Sequence, residues 1–212
     1  MSQLAILPPL PVPAGAAPAA ILPAAGPPPV VIGLDLALVL SGIAGLGWTQ
    51  HINSGHRRAE QRLDYVLREA ASYYRNADFV ALEGPSYGSA LQAGHDELAA
   101  VRWLVRRDLW KRGIPYAIVP PSSRVIYALG SARPKDPATG KTATSKVAKA
   151  LVQQAVAQHF GIECEGRARY DQADAYVIAA MALHHLGHPQ ADLPDTHTRA
   201  LSGVNWPERS DT

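Results

Sequence analysis

The chain is poor in the features that staple, export or embed a protein. One cysteine, Cys164, stands among 212 residues, so no disulfide can close within the chain and a secreted disulfide scaffold is excluded. A reducing, cytoplasmic setting is the simpler expectation, with Cys164 a spare thiol. No run reaches 18 apolar residues, which argues against a membrane-spanning helix. The first 29 residues carry no charged side chain and hold nine of the 18 prolines. With no basic start, and with proline breaking every apolar run, they do not read as a secretory signal. Alternating Pro and Ala favours extended conformers that bury little, so residues 1–29 are expected to form a disordered arm. An excess of one charge is lacking too, Lys+Arg 20 against Asp+Glu 18. A nucleic-acid surface would therefore have to be a local patch.

What remains is long enough for one hydrophobic core without a structural metal. Residues 30–188 alternate short apolar runs with amphipathic stretches. Val30–Asp35 reads as a buried strand ending in a carboxylate, and Gly42–Gln50 as a strand returning beside it in a hairpin. Between Arg57 and Asn76, Leu63, Val66, Leu67, Ala70 and Tyr74 recur at helical steps. Asp78–Glu83 is a second apolar run ending in an acid. A long helix follows over Ser89–Arg112, stopped by Gly113, and then a short strand over Tyr116–Val119. Residues 122–142, rich in Ser, Gly and Pro, read as a mobile loop. Helices over Thr144–Phe160 and Asp171–Leu186 close the body. Residues 189–212 read as an irregular tail in which Trp206 is a packing anchor. Strand-helix-strand steps need crossovers and the hairpin needs antiparallel pairing, so the expected class is α/β, a mixed sheet flanked by helices.

Four acids stand where chemistry would want them. Asp35 and Glu83 each end an apolar strand, and Asp171 and Asp174, at spacing i, i+3, share one helix face. Singly, each suits a solvated strand end or a helix start, where the dipole favours negative charge. Together they would repel one another unless a divalent cation sat among them, and oxygen-only ligation selects Mg²⁺ or Mn²⁺ over zinc. Charge supports a phosphate-bearing substrate. From Pro120 to Lys149, Arg124, Arg133, Lys135, Lys141, Lys146 and Lys149 face Asp136 alone, a local excess of five positive charges. Cations that hold flanking phosphates beside acids that hold metal are what a phosphodiesterase needs. His184, His185 and His188 have poor spacing for zinc and receive no role.

The set resembles the RuvC-like Holliday junction resolvases of the RNase H-like superfamily, in a viral or actinobacterial form. Ile32-Gly33-Leu34-Asp35 followed by Ser41-Gly42 is similar to the family's opening hairpin, and Ala81-Leu82-Glu83-Gly84-Pro85 to its second acidic motif. Pro121-Ser122-Ser123 with a glycine-containing loop and Lys146 resembles its third motif, and Asp171-Gln172-Ala173-Asp174-Ala175 its last. Leu36-Ala37 replaces the usual Pro-Gly, Arg124 stands close to a usual Lys, and Arg133–Gly140 lengthens the loop. The resemblance implies a mixed five-stranded sheet and a homodimeric, metal-dependent endonuclease that resolves four-way DNA junctions by paired symmetric nicks in recombination and repair.

It further implies two Mg²⁺ or Mn²⁺ ions per active site, one activating water and one stabilising the leaving 3′ oxygen. Asp35 would be the shared ligand, Glu83, Asp171 and Asp174 would complete the sites, and Lys146 would offset charge on the phosphate. Products would be 5′-phosphate and 3′-hydroxyl ends. Tyr87 is the candidate wedge at the junction centre, and Ser122, Ser123, Arg124, Arg133, Lys135, Lys141 and Lys149 are candidate DNA contacts. The long helix, with Leu91, Leu98, Val101 and Leu104, is the candidate dimer face. Two alternatives stay open, a broader nuclease of forks, flaps or hybrids and a non-catalytic branched-DNA-binding protein. The absence of a glycine-rich phosphate loop weakens a third, a sugar-kinase-like ATPase.

Overall fold

A computed structural model describes residues 26–85 and 94–207. Five strands, β1 (Val31–Asp35), β2 (Leu40–Gly45), β3 (Trp48–Asn53), β4 (Phe79–Glu83) and β5 (Tyr116–Val119), form one sheet in the order β3-β2-β1-β4-β5. β1, β2 and β3 run antiparallel in turn, while β4 is parallel to β1 and β5 to β4. The helices are α1 (Ala59–Tyr74), α2 (His95–Arg112), α3 (Pro121–Leu129), α4 (Ser145–Phe160), α5 (Arg169–His185) and α6 (Asp195–Thr198). This is the mixed five-stranded RNase H-like α/β fold. Among the described residues, no helix is long and apolar enough to cross a membrane.

Alternation along the strands divides the core into two layers. Ile32, Leu34, Val80 and Leu82 pack on one face with Val66, Ala70 and Tyr74 of α1 and Val101, Val105 and Leu109 of α2. Val31, Ala81, Ala117 and Val119 pack on the other face with α3, α4 and α5. Every residue of α5 from Ala173 to Leu183 is buried, as expected of a helix that is apolar nearly all round. It can lie that close because β1 and β2 present glycines to it. A Cβ on Gly33 would fall 2.6 Å from the Ala179 nitrogen, and one on Gly42 would strike the first turn of the helix at Asp171 and Gln172.

Four expectations need correction. The stretch Gly42–Gln50 is two strands, because Leu46-Gly47 makes a two-residue hairpin turn with Gly47 at φ +79°, a conformation glycine adopts at no steric cost. Residues 122–142 are not all loop. Pro121 supplies a ready-made φ at the first position of α3, and Gly130, left-handed at φ 71°, ends it. On α2, Val101 belongs to the core, so of the expected dimer-face residues Leu98 and Leu104, both half-buried, keep some exposure. The exposed large hydrophobic side chains of α2 are Trp103 and Trp110, 63% and 72% accessible and two turns apart. Leu91 lies outside the described residues.

The tail, finally, is ordered through residue 207. α6 runs into a 3-10 turn over Arg199–Gly203, and Leu193, Ala200, Leu201 and Val204 are buried against α3, α4 and α5. Trp206 stacks on His185 with ring centroids 4.4 Å apart, and its indole N–H donates to the Leu201 carbonyl at 2.9 Å. The Tyr127 hydroxyl meets His184 Nδ1 at 3.0 Å, tying α3 to the end of α5.

Candidate active site

The sheet itself brings the first two acids together. Leu34 of β1 stands opposite Leu82 of β4 in a parallel pair, so the next residues, Asp35 and Glu83, leave the sheet side by side at its carboxyl edge. Beyond Asp35 the chain turns back sharply. Ser41 Oγ accepts from the Ala37 N–H at 3.0 Å and donates to the Ala37 carbonyl at 2.9 Å. That closure sets Gly42 opposite Asp35 in the β1–β2 ladder. Since the first turn of α5 rests on Gly42, Asp171 and Asp174 are delivered to the same edge.

The electrostatics of the four carboxylates follow from burial and crowding. Asp35 is 7% exposed, and burial, then the charges of Glu83 and Asp174, raise its carboxyl well above the ordinary range. Burial pushes Asp174 up to about 7 against the pull of Arg124. Asp171 is raised by burial as well, with Lys149 opposing. The Lys149 Nζ lies 3.9 Å from Asp171 Oδ1.

Arg124 is where the structure departs most from the sequence reading. Expected as a DNA contact on a loop, it sits on α3, 8% exposed, with its guanidinium among the acids. Nε donates to Glu83 Oε1 at 2.8 Å, and Nη1 donates to Asp174 Oδ1. Burial works against its charge, but Asp174, Glu83 and Asp35 more than offset this and hold it above its usual range. The sequence carries a signal for its burial, though none for its partners: Arg124, Tyr127 and Ala128 form an i, i+3, i+4 stripe between Pro121 and Gly130 and are all buried.

The other candidate contacts divide by exposure. Ser122 is exposed, whereas Ser123 is buried with its Oγ close to Gly203. Arg133, Lys135, Lys141, Lys146 and Lys149 are exposed. Lys135 pairs with Thr142 across a bridge that folds the lengthened segment back on itself. Lys146 lies one turn before Lys149 on α4. Tyr87 lies outside the described residues. A cavity of about 1000 Å³ opens elsewhere, between the end of α5 and the C-terminal segment, lined by His184, His185, Asp192, Arg199 and Trp206 among others. None of the four acids lines it.

The donor set, four desolvated and mutually repelling carboxylates, has the chemistry of a site for a hard divalent cation. Among the described residues, however, no three His, Cys, Asp or Glu side chains stand in metal-holding geometry, and Glu83 and Asp174 are drawn onto Arg124. Ligation by Asp35, Glu83, Asp171 and Asp174 would bring a cation onto two carboxylates that the guanidinium already bonds.

No protein-family model matches the chain, and no curated protein matches it. Solved structures do. The Thermus thermophilus RuvC structure is similar with a TM-score of 0.52 at 16% identity, over 77% of this chain and 99% of that one. T. thermophilus RuvC in complex with Holliday junction substrate gives a TM-score of 0.48 at 20% identity, over the same shares. At 16% identity the first likeness is one of fold.

Proposed function

We propose that the chain is a divalent-metal-dependent endonuclease that resolves four-way DNA junctions by paired symmetric nicks. The observation that carries this reading is the delivery of Asp35, Glu83, Asp171 and Asp174 from three elements to one edge of the sheet, with Lys149 of the basic segment touching Asp171. Carboxylates bunched at such a cost in repulsion and desolvation call for a cationic ligand, and the neighbouring lysines suit a polyanion.

A bound divalent ion would supply an activated water and neutralise charge at the scissile phosphate. The chain's own residues do the rest. Asp35, at the centre of the edge, ligates together with Glu83, Asp171 and Asp174. Lys146 and Lys149, exposed on successive turns of α4, hold the phosphate and offset the charge that grows on it. Arg133, Lys135 and Lys141 bind flanking backbone, which orients the duplex without reading bases. Two symmetric nicks from one site per chain require a two-fold dimer, and the exposed Trp103 and Trp110 on α2 are the apolar side chains best placed to bury there.

The test is Mg²⁺-dependent cleavage of a synthetic four-way junction beside linear duplex, fork and flap DNA, with Asp174→Asn as control and sedimentation to read the assembly. Paired symmetric nicks in the junction alone, lost in the variant, are expected from a dimer. Equal cutting of forks or flaps would move the function to a broader structure-selective nuclease. Binding without cutting would leave a branched-DNA-binding protein.

A further inference from the structure

The Arg124 guanidinium does more than pad the acidic edge. Its side chain is 10% exposed, and the carboxylates it joins, Glu83 and Asp174, are 13% and 3% exposed. These acids come from different elements, β4 and α5, so one planar fork ties the sheet edge to the helix, a task for which guanidinium is better suited than ammonium. Desolvated carboxylates this close together need a counter-charge, and in the free protein Arg124 supplies it, with Lys149 beside Asp171 as a weaker second.

The guanidinium bonds one oxygen of each acid, Glu83 Oε1 and Asp174 Oδ1, so a second cation on these carboxylates would lie beside a positive charge. A divalent ion on Glu83 and Asp174 would meet the guanidinium at contact distance in a site with little water to screen the repulsion. The backbone of α3 is not free to retreat. Tyr127 is buried and meets His184, Ser123 packs against the C-terminal segment at Gly203, and Arg199 Nη2 donates to the Gly130 carbonyl at 3.1 Å. The side chain therefore has to move on its own stem.

We propose that Arg124 is a displaceable counter-cation that closes the acidic site in the free protein, and that divalent-ion binding requires its guanidinium to leave Glu83 and Asp174. This rests on the nuclease reading of the acids. Once released, the guanidinium stands beside the site with its fork free for a phosphate, so that metal and DNA binding draw on the same swing of one side chain.

The experiment is Mn²⁺ binding to the full chain at pH 8 without DNA, read by electron paramagnetic resonance, for the wild type, R124Q and R124K. Melting in EDTA and in Mn²⁺ is followed in parallel. Relief of the repulsion between the guanidinium and the ion is expected to tighten Mn²⁺ binding about tenfold or more in R124Q. R124K, which keeps the charge but loses the fork, should bind several-fold more tightly than wild type. R124Q should also melt lower than wild type in EDTA and gain more from Mn²⁺. If R124Q does not fold without metal, R124K decides the matter. Wild-type Mn²⁺ affinity in every folded variant would overturn the proposal and leave the nuclease reading standing. Failure of all three proteins to bind Mn²⁺ would overturn both.

Discussion

The seat of α5 on Gly42 makes the position of the acids sensitive to a single methyl group. An ideal Cβ at residue 42 falls 1.8 Å from the Asp171 carbonyl oxygen and 2.9 Å from the Gln172 nitrogen. These are helix backbone atoms, not the end of a flexible side chain. Ordinary contact begins at 3.4 Å, so in Gly42→Ala the first turn of α5 must lift by roughly 1.5 Å in a closely packed interior. Burial from Ala173 to Leu183 resists that movement along the helix, and overpacking of this kind costs about 1–3 kcal/mol. For a chain of this size that lowers the melting temperature by about 2–12 °C. Activity should suffer more than stability, because Asp171 and Asp174 ride on the displaced turn, and a misplacement of about 1 Å can cost on the order of 100-fold in rate. Gly33→Ala, which meets the same helix at Ala175 and Ala179, should act in the same direction. The assay pairs thermal melts with Mg²⁺-dependent junction cleavage. A Gly42→Ala protein that melts and cuts like wild type would refute the account of how the acids are placed.

Two further outcomes are expected. Asp174 carries a folded pKa of about 7 against about 3.9 unfolded, so the folded state binds its proton more tightly. The stability this contributes is fully present below about pH 4 and is lost as pH rises toward 7. In EDTA the wild type should therefore lose stability relative to Asp174→Asn across that window, and parallel melting curves for the two proteins would contradict the burial argument. Added Mn²⁺ should reverse the loss at neutral pH, since ligation needs deprotonated carboxylates. In the C-terminal segment, Trp206→Ala removes the stack on His185 and the hydrogen bond to Leu201. A loss on the order of 2 kcal/mol in urea unfolding is expected, and a loss below about 0.5 kcal/mol, the ordinary range for surface changes, would mean that Trp206 does not brace the end of α5.

Much of this protein is legible in its sequence because the relevant signals are local. Unbroken apolar runs in Val31–Asp35 and Phe79–Glu83 mark buried strands, helical spacing marks α1, and an acid at each strand end or first turn marks the chemistry. Short elements were harder to read. α3 and α6 are held by partners distant in the chain, and their prolines suit a helix start as well as a loop. The hairpin at Leu46-Gly47 leaves little mark in the sequence for a related reason, since a two-residue turn hardly interrupts an apolar pattern.

The sequence by itself determined which acids exist and what they can ligate, since oxygen donors and i, i+3 spacing are properties of the residues alone. It also determined that charge gathers between Pro120 and Lys149. Only the tertiary structure decided that the acids share one edge, because strand register and the close seat of α5 on Gly33 and Gly42 are contacts between distant segments. The partner of those acids was decided there too. Arg124 lies 41 residues from Glu83 and 50 from Asp174, and a salt bridge over such separations depends on where the sheet and two helices put its ends, which no local pattern encodes.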